Sequence, residues 1–482
     1  SLRLDSLEAN ANDQIQATVG QVNSIAASIA RLNSDIELAA NGAGGQPPND
    51  LLDTRDHLLD QLSNLVGIST VVQDNGAVNV FVGSGQPLVI GNVTKTLGVR
   101  PAEFDRSRVE IVQETNAGPQ TITSAIDGGE LGGYLQFRTQ VLDRARDVLG
   151  QVASGVAYAV NSRNAAGLDL TGQLGGEVFA IAPPTARAGE GNTGTATIQV
   201  AVTDVAAVRP EEYVLRFDGS QWSAVTPGGQ AVALAGSGTP ADPFRADGLS
   251  FVMSGTANAG DRFLVRATRD AAVSLRAALT DPRGVAAAGP MRTLATVGNT
   301  GSGVISAASV VDASDPSLLL PVTVAFISPN TYTVDGNGPF TYSPGDVLNH
   351  HGWTVTLTGT PAAGDSFRIE RNAGGTGDNR NALLVAGLQT AGVLADGSAS
   401  VNDVFGGLVG EIGTVTRQAN ITRDAQAAIT SDAREGVLAS NGVNLDEEAA
   451  DLVRWQQSYQ AAAQAVRVAD EVFRTLLAAT GR

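Results

Sequence analysis

The chain of 482 residues contains no cysteine, so disulfide bonds do not hold its fold together. Aromatic residues make up only 5% of it, which argues against an aromatic-lined ligand cleft. Its 31 basic residues are outnumbered by 49 acidic ones, and the formal charge of −18 would repel nucleic acids and anionic membranes. No apolar run approaches the roughly 18 residues of a membrane-spanning helix, and the region after Ser1 lacks the basic and apolar parts of a secretory signal peptide. We therefore expect neither a nucleic-acid partner nor a membrane partner.

Residues that could carry catalysis or bind a metal are sparse. The three histidines are His57, on a leucine-rich helical segment, and the neighbours His350 and His351, which precede a predicted strand. Adjacent side chains of a strand point to opposite faces, so this pair favours ordinary packing or surface roles over a shared metal ion. The segment beginning at Asp335 (DGNG) starts like a calcium loop but has no glutamate at the twelfth position, which favours a turn. The sequence thus predicts no enzyme, no cofactor and no metal site.

Helical periodicity is strongest at the end of the chain, over residues 443–477. Apolar residues recur there every seven residues, and the last four are each followed three residues later by another apolar residue, as in a helix that lies along a second helix. At about 1.5 Å per residue the helix is roughly 50 Å long, too long to be covered by a small core of its own. We therefore predict that it forms an assembly interface between subunits. The predicted interface residues are Leu445, Leu452, Trp455, Tyr459, Ala462, Val466, Ala469, Phe473 and Leu476.

A second helical seam lies near the beginning of the chain, over residues 4–40. Its members, spaced by seven, are Ile15, Val22, Ile29 and Ile36. Burial in the protein's own core is the favoured interpretation of these four residues, and assembly between subunits is the alternative. Because the two seams lie at opposite ends of the sequence, we also expect them to pack against each other and to make the helical body discontinuous.

Between the two seams, several segments alternate with a period of two, which indicates antiparallel strands. Gly248–Thr268 and Gly352–Asn372 align without gaps as an internal repeat, and each copy predicts a hairpin whose loop contains two glycines. The expected fold is α+β and multidomain, with antiparallel β domains inserted into a discontinuous helical-bundle or coiled-coil body. The predicted domains are 1–190, the first part of the helical body with a small β unit at 68–112; 194–272, a β-rich outer domain; 290–372, a second β-rich domain; 373–440, the second part of the helical body; and 441–482, the C-terminal assembly helix.

Four segments in the order of the chain resemble one protein family. They are 49–67 (NDLLDTRDHLLDQLSNLVG), 128–147 (GGELGGYLQFRTQVLDRARD), 378–389 (DNRNALLVAGLQ) and 442–477 (GVNLDEEAADLVRWQQSYQAAAQAVRVADEVFRTLL), and they are similar to the flagellar hook-associated protein 1 family. The resemblance implies a non-enzymatic structural subunit of the bacterial flagellum at the hook–filament junction, located outside the cell and exported through the flagellar type III apparatus without a cleavable signal peptide. Its implied partners are copies of itself, hook protein, hook-associated protein 3 and an export chaperone at the C-terminal region. The terminal seam is implied to lie in the inner coiled-coil layer of an axial tube.

Members of the family begin with a further helical segment that we do not find in this chain, so the resemblance also implies a fragment. One alternative function is a different flagellar axial protein, which the motif from Leu445 to Tyr459 argues against. Another is a secreted β-rich adhesin or enzyme on a helical stalk, which is motivated by the repeated β segment.

Overall fold

The computed structural model describes residues 2–42, 48–116, 118–375, 377–441 and 445–480, with side chains for all of these except 40–42, 438–441, 445–446 and 477–480. Residue contacts divide the chain into two units, Ser1–Ile412 and Gly413–Arg482. The α-helices are α1 (Leu2–Gly42), α2 (Asn49–Leu65), α3 (Gly129–Phe137), α4 (Arg144–Ala165), α5 (Ala271–Ser274), α6 (Arg380–Gly387), α7 (Val401–Asn441) and α8 (Leu445–Thr480). A π-helical segment, Arg138–Asp143, joins α3 to α4, and 3₁₀ turns lie at Thr123–Ala125 and Pro282–Gly284.

The strands fall into three groups along the chain. The first group is β1 (Ile68–Val72), β2 (Val78–Val82), β3 (Gln86–Ile90), β4 (Val93–Thr94), β5 (Leu97–Ala102), β6 (Asp105–Thr115) and β7 (Gly118–Thr121). The second is β8 (Phe179–Ala180), β9 (Thr185–Ala188), β10 (Thr197–Val202), β11 (Glu212–Phe217), β12 (Trp222–Val225), β13 (Ala231–Val232), β14 (Phe244–Ala246), β15 (Leu249–Ser254), β16 (Arg262–Arg266) and β17 (Arg276–Ala277). The third is β18 (Met291–Ala295), β19 (Val304–Ile305), β20 (Ser309–Val310), β21 (Val322–Ser328), β22 (Thr331–Val334), β23 (Asn337–Thr341), β24 (Val347–His350), β25 (Trp353–Thr358) and β26 (Ser366–Arg371).

The first group of strands forms a β unit that packs on α1, α2 and α3. It has two antiparallel sheets, in the orders β1-β2-β3-β4 and β5-β6-β7. Alternation along β2 buries Val78, Val80 and Val82, which are at most 2% exposed, in one core with Leu62 of α2 and Leu131 of α3. Because β7 ends at Thr121, this unit extends beyond the predicted boundary at residue 112.

Apart from β8 and β17, which pair with each other in a separate two-stranded sheet, the second and third groups each form a two-sheet β-sandwich of the same topology. The first sandwich pairs a β10-β15-β14 sheet with a five-stranded sheet in the order β13-β12-β11-β16-β9. The second pairs a sheet built on β25, with β19, β20 and β24 as its neighbours, with a five-stranded sheet in the order β23-β22-β21-β26-β18. Since β9 begins at Thr185, the first sandwich starts inside the region that the sequence assigned to the helical body. The structure confirms the predicted α+β fold, with helical parts at both ends of the chain and antiparallel β domains between them.

The repeated segment is an arch between two sheets, so the predicted hairpin is wrong. β15 and β16 do not pair with each other, because β15 pairs with β10 and β14, whereas β16 pairs with β11 and β9. β25 and β26 are separated between the two sheets of the second sandwich in the same way. The arch does require its glycines: Gly255 and Gly359 have φ of 77° and 78°, where L side chains are strained.

The same set of hydrogen bonds, made by an asparagine and an aspartate, occurs in both sandwiches, and the sequence analysis did not identify it. An Asn-Thr-Gly segment follows the first strand of each sandwich, at 192–194 after β9 and at 299–301 after β18. The buried Asp261 carboxylate accepts backbone hydrogen bonds of 2.9 and 3.1 Å from the first segment, and Asp365 accepts bonds of 2.7 and 3.1 Å from the second. The asparagine of each segment binds the backbone of the residue after the aspartate. The repeated Asn-Thr-Gly shows that the likeness of the two sandwiches extends beyond the repeated segment toward their first strands.

Helix α7 begins in the first unit and continues into the second. In the first unit, Leu408 is 5% exposed and packs against Ala145 and Val148 of α4. An ion pair of 3.1 Å between Arg144 and Glu411 lies beside this contact. From Gly413 onward, the rest of α7 and the whole of α8 make up the second unit.

Candidate assembly surfaces

Helix α8 exposes the predicted assembly interface. The side chain of Leu445 lies outside the described residues, and the other eight predicted positions are all exposed. The exposed fractions are 59% for Leu452, 75% for Trp455, 78% for Tyr459, 68% for Val466, 61% for Phe473 and 58% for Leu476. Ala462 and Ala469 lie between these large side chains on the same side of the helix, where small residues allow a second helix to approach closely. Long helices with an uncovered apolar stripe are marginal in water, so this stripe remains a candidate surface for a partner.

A second apolar stripe on α8 was missed by the heptad analysis. Val468, Val472 and Leu476 follow one another at intervals of four residues and are 59%, 53% and 58% exposed. Two ion pairs lie within the helix, between Arg454 and Asp451 at 3.1 Å and between Arg474 and Asp470 at 3.0 Å. Both are exposed, so they contribute little to the stability of the helix. The four-residue spacing was visible in the sequence, and it places apolar surface on a second flank of the same helix.

The seam of α1 is buried in the core of the first unit. Ile15, Val22 and Ile29 are 0% exposed and Ile36 is 2% exposed. Ile15, Val22 and Ile29 belong to the core that α2, α3 and the β unit form around α1. The expected packing against the terminal helix is therefore not what buries these residues, because the β unit already covers their apolar surface.

Three asparagines on α1 hold the β unit by hydrogen bonds, and the sequence analysis did not identify them. Asn33 donates to the carbonyls of Val78 (2.8 Å) and Gly91 (2.6 Å) and accepts from the Val78 N–H (3.0 Å). Asn23 donates to and accepts from the backbone of Leu97, at 2.8 and 2.9 Å. Asn12 bonds the backbone of β6 near one end of α1. The three asparagines are spaced by 11 and then 10 residues, which brings them back to one face of the helix. This spacing in the sequence could have identified them.

A buried ion cluster joins the first sandwich to α4. Arg269 donates to both carboxylate oxygens of Asp147 at 2.8 Å and also contacts Glu212 (2.9 Å) and Asp143 (3.3 Å). Burial raises the pKa of Asp147 to about 6, so the carboxylate is still ionised at neutral pH. Next to it, a Cβ on Gly150 would lie 1.9 Å from the Thr268 carbonyl oxygen, so α4 needs glycine there. The joint thus depends on paired charges and on a close approach of backbones.

An open cleft of about 610 Å³ lies beside this cluster. Both signs of charge line it, and they pair across it: Arg266 with Asp105 at 2.7 Å, and Arg108 with Asp143 at 2.7 Å. Paired charges between two parts of a chain are typical of an interdomain joint, so we do not assign a ligand to this cleft.

The histidines lie apart from these surfaces. On α2, the Nε2 atom of His57 lies 3.0 Å from the Nε2 atom of Gln61. His350 ends β24, and His351 follows in the turn with φ of 43°, so their rings stack with centroids 3.9 Å apart instead of pointing to opposite faces of a strand. Asp335 lies in the turn between β22 and β23 and accepts a hydrogen bond of 2.7 Å from the Thr323 N–H. Among the described residues, no group of three or more His, Cys, Asp or Glu is placed to hold a metal ion.

Within the part of the chain that the structure describes, no helix combines the length and the hydropathy needed to cross a membrane.

Models of known protein families match three parts of the chain. "Flagellar hook-associated protein FlgK helical domain" matches residues 1–179, and "Flagellar hook-associated protein 1, D2-like domain" matches residues 188–267. "Flagellar basal body rod FlgEFG protein C-terminal" matches residues 434–479, which include all but the last residue of α8. The matched regions thus contain the β unit, most of the first sandwich and nearly all of the exposed terminal helix.

Individual relatives agree with these matches over nearly the whole chain. Flagellar hook-associated protein 1 of Escherichia coli (strain K12) is 29% identical over 97% of this chain and 71% of its own length, and that of Salmonella typhimurium is 28% identical over the same shares. The solved structure of the flagellar hook junction protein FlgK from Burkholderia pseudomallei superposes with a TM-score of 0.81 at 32% identity, covering 92% of this chain and 86% of that one. The chain belongs to the flagellar hook-associated protein 1 family and is a structural component of the flagellar hook–filament junction.

Proposed function

We propose that the chain assembles into the hook–filament junction through the exposed seam of α8. The observation that carries this proposal is the exposure of all eight described seam residues on one helix. Covering a side chain such as Trp455 or Tyr459 contributes about 1.5–3 kcal/mol, so a few of them supply enough free energy for a stable contact between helices. The second stripe, at Val468 and Val472, allows a further neighbour to contact the same helix.

The proposed partners are flagellar axial proteins. Copies of the same chain form the ring or helical array, with hook protein on one side and hook-associated protein 3 on the other. The exposed apolar helix also needs cover before assembly, which makes the C-terminal region the proposed binding site for an export chaperone. The proposed location is outside the cell, reached by flagellar export without a cleavable signal peptide, and the proposed role is structural and not enzymatic.

The double variant Trp455→Asp and Tyr459→Asp tests the seam in a cell that lacks the native protein. We expect hooks without filaments, because two charges in the centre of the seam oppose the burial of both neighbouring apolar surfaces. The measurement is electron microscopy of hooks and filaments together with swimming motility. The matched control is Gln457→Asp with Gln460→Asp, which adds the same charge on the side of α8 away from the seam.

Normal filaments on the double variant would contradict the proposal. Loss of the variant from the secreted fraction would instead place its defect at export, so the amount secreted is measured alongside. If the glutamine control loses filaments as well, the effect comes from charge on α8 in general and the seam has no special role.

A further inference from the structure

The two sandwiches share one hairpin turn, but different side chains hold it in place. The turn joins β14 to β15 in the first sandwich and β24 to β25 in the second. Asp247 and His351 occupy the same place in the two turns, with φ of 47° and 43°, and the next residue in each is a glycine with φ of 73°. The carbonyl of this glycine, Gly248 or Gly352, accepts two backbone hydrogen bonds in both sandwiches. The backbones of the two turns are therefore alike, and the side chains distinguish them.

In the first sandwich the turn is anchored by its aspartate. The Tyr213 hydroxyl donates a hydrogen bond of 3.0 Å to the Asp247 carboxylate, and the guanidinium of Arg209 lies 3.3 Å from the same carboxylate. Tyr213 is 1% exposed and belongs to the core of this sandwich. A hydrogen bond from the core and an ion pair thus hold the first turn.

In the second sandwich the turn is held by two stacked histidines. The rings of His350 and His351 have centroids 3.9 Å apart and planes inclined by 30°. His350 also packs against the ring of Trp353, at 5.8 Å between centroids, and Trp353 is 0% exposed in the core of this sandwich. The Nδ1 atom of His351 is buried without a hydrogen-bond partner. Ring contact therefore stands where the first turn has a hydrogen bond and an ion pair.

The stack is stable only while the two imidazoles are not both protonated. Two like charges about 4 Å apart disfavour each other by about fivefold in an equilibrium constant even in water, and by more where water is partly excluded. Burial and the neighbouring His351 lower the pKa of His350, although the carboxylates of Asp335, in the β22–β23 turn, and Asp315, between β20 and β21, act in the opposite direction. The folded chain therefore takes up this proton less readily than the unfolded chain does, and stability is lost as the pH falls below about 6.5.

We propose that the His350–His351 stack is an acid-sensitive switch, which keeps the β24–β25 turn closed at neutral pH and lets it open when both rings are protonated. Opening separates His350 from Trp353, so it loosens the second sandwich at this end of its core. The equivalent turn of the first sandwich contains no histidine and stays closed. The switch involves no residue of the α8 seam and does not rest on the proposed assembly.

Hydrogen exchange of the whole chain at about pH 7.5 and about pH 5, followed by mass spectrometry, tests the switch. Each rate is divided by the rate of the unfolded chain at the same pH, and segment 347–353 is compared with its counterpart 243–249. We expect the protection of 347–353 to fall in acid by at least about fivefold more than that of 243–249. His350→Gln and His351→Asn, each alone, should remove this difference. Asparagine suits the second position because it tolerates a positive φ.

His57→Gln is the matched control, because it removes an exposed histidine from α2 and leaves the stacked pair intact. It should keep the acid response of the native chain. Fluorescence of Trp353 at about pH 7.5 reports that each variant is folded before the comparison is made. Equal loss of protection in the two segments of the native chain overturns the proposal. A difference that persists in either folded variant of the pair, or that His57→Gln also removes, overturns it as well.

Discussion

Replacing Asn33 with alanine tests whether α1 holds the β unit by hydrogen bonds or by apolar contact alone. Asn33 is 1% exposed and satisfies both backbone groups of Val78 as well as the Gly91 carbonyl. A buried backbone group that loses its partner costs about 1–3 kcal/mol. The two groups of Val78 are the buried ones, whereas Gly91 lies at a turn that water can reach.

The expected cost of Asn33→Ala is therefore about 3 kcal/mol, or roughly a hundredfold in the unfolding equilibrium. Asn12→Ala is the control for a weaker effect. The Asn12 side chain donates a hydrogen bond of 2.8 Å to the Ser107 carbonyl, and this bond is exposed to solvent. Removing it should cost under about 1 kcal/mol of the free energy of unfolding. Both variants gain the same helix propensity from alanine, so this term cancels in the comparison.

Urea unfolding followed by far-ultraviolet circular dichroism measures the free energy of both variants. Hydrogen exchange of the Val78 amide gives a local readout, since Asn33 is its acceptor. Fluorescence of Trp222 and Trp353, in the two sandwiches, should be unchanged below the transition. The reasoning is refuted if Asn33→Ala costs no more than Asn12→Ala, or if the exchange of the Val78 amide does not accelerate.

Two further perturbations follow from the sandwiches and their joint. Burial alone raises the pKa of Asp105, but hydrogen bonds from Ser107 and Arg266 outweigh burial and lower this pKa to about 2. The ionised Asp105 carboxylate therefore stabilises the fold above about pH 4, and this stabilisation is lost as the pH falls through 2. When the free energy of unfolding is measured at decreasing pH, the Asp105→Asn variant should lack this loss of stability. Gly359→Ala should destabilise the second sandwich by more than about 1 kcal/mol in urea unfolding followed by Trp353 fluorescence, because a Cβ would lie 2.2 Å from the Ser302 carbonyl oxygen. Gly20→Ala, in α1 with open space around it, should instead stabilise the chain, and a similar gain at Gly359 would refute the strain at the arch.

The amino-acid sequence by itself determined the features that depend on near neighbours. Heptad spacing set the helical form of α1 and α8, since side chains seven residues apart return to one face of a helix whatever the rest of the chain does. The repeat of Gly248–Thr268 in Gly352–Asn372 established two related β domains. The four ordered motifs were enough to place the chain in its family.

Only the tertiary structure decided what each of these surfaces meets. A strand, a glycine-containing turn and a second strand have the same local pattern whether the strands pair in one sheet or cross between two, so the arch was mistaken for a hairpin. The apolar spacing of α1 predicted that one face of this helix is buried. It could not tell whether a helix or a sheet packs against that face, because hydrophobic contacts are not directional. Asp147 and Arg269 are 122 residues apart in sequence, and no local pattern links two charges at that distance. Their pairing exists because the fold brings the first sandwich against α4, whereas the exposure of α8 reflects an apolar surface that the described chain does not cover.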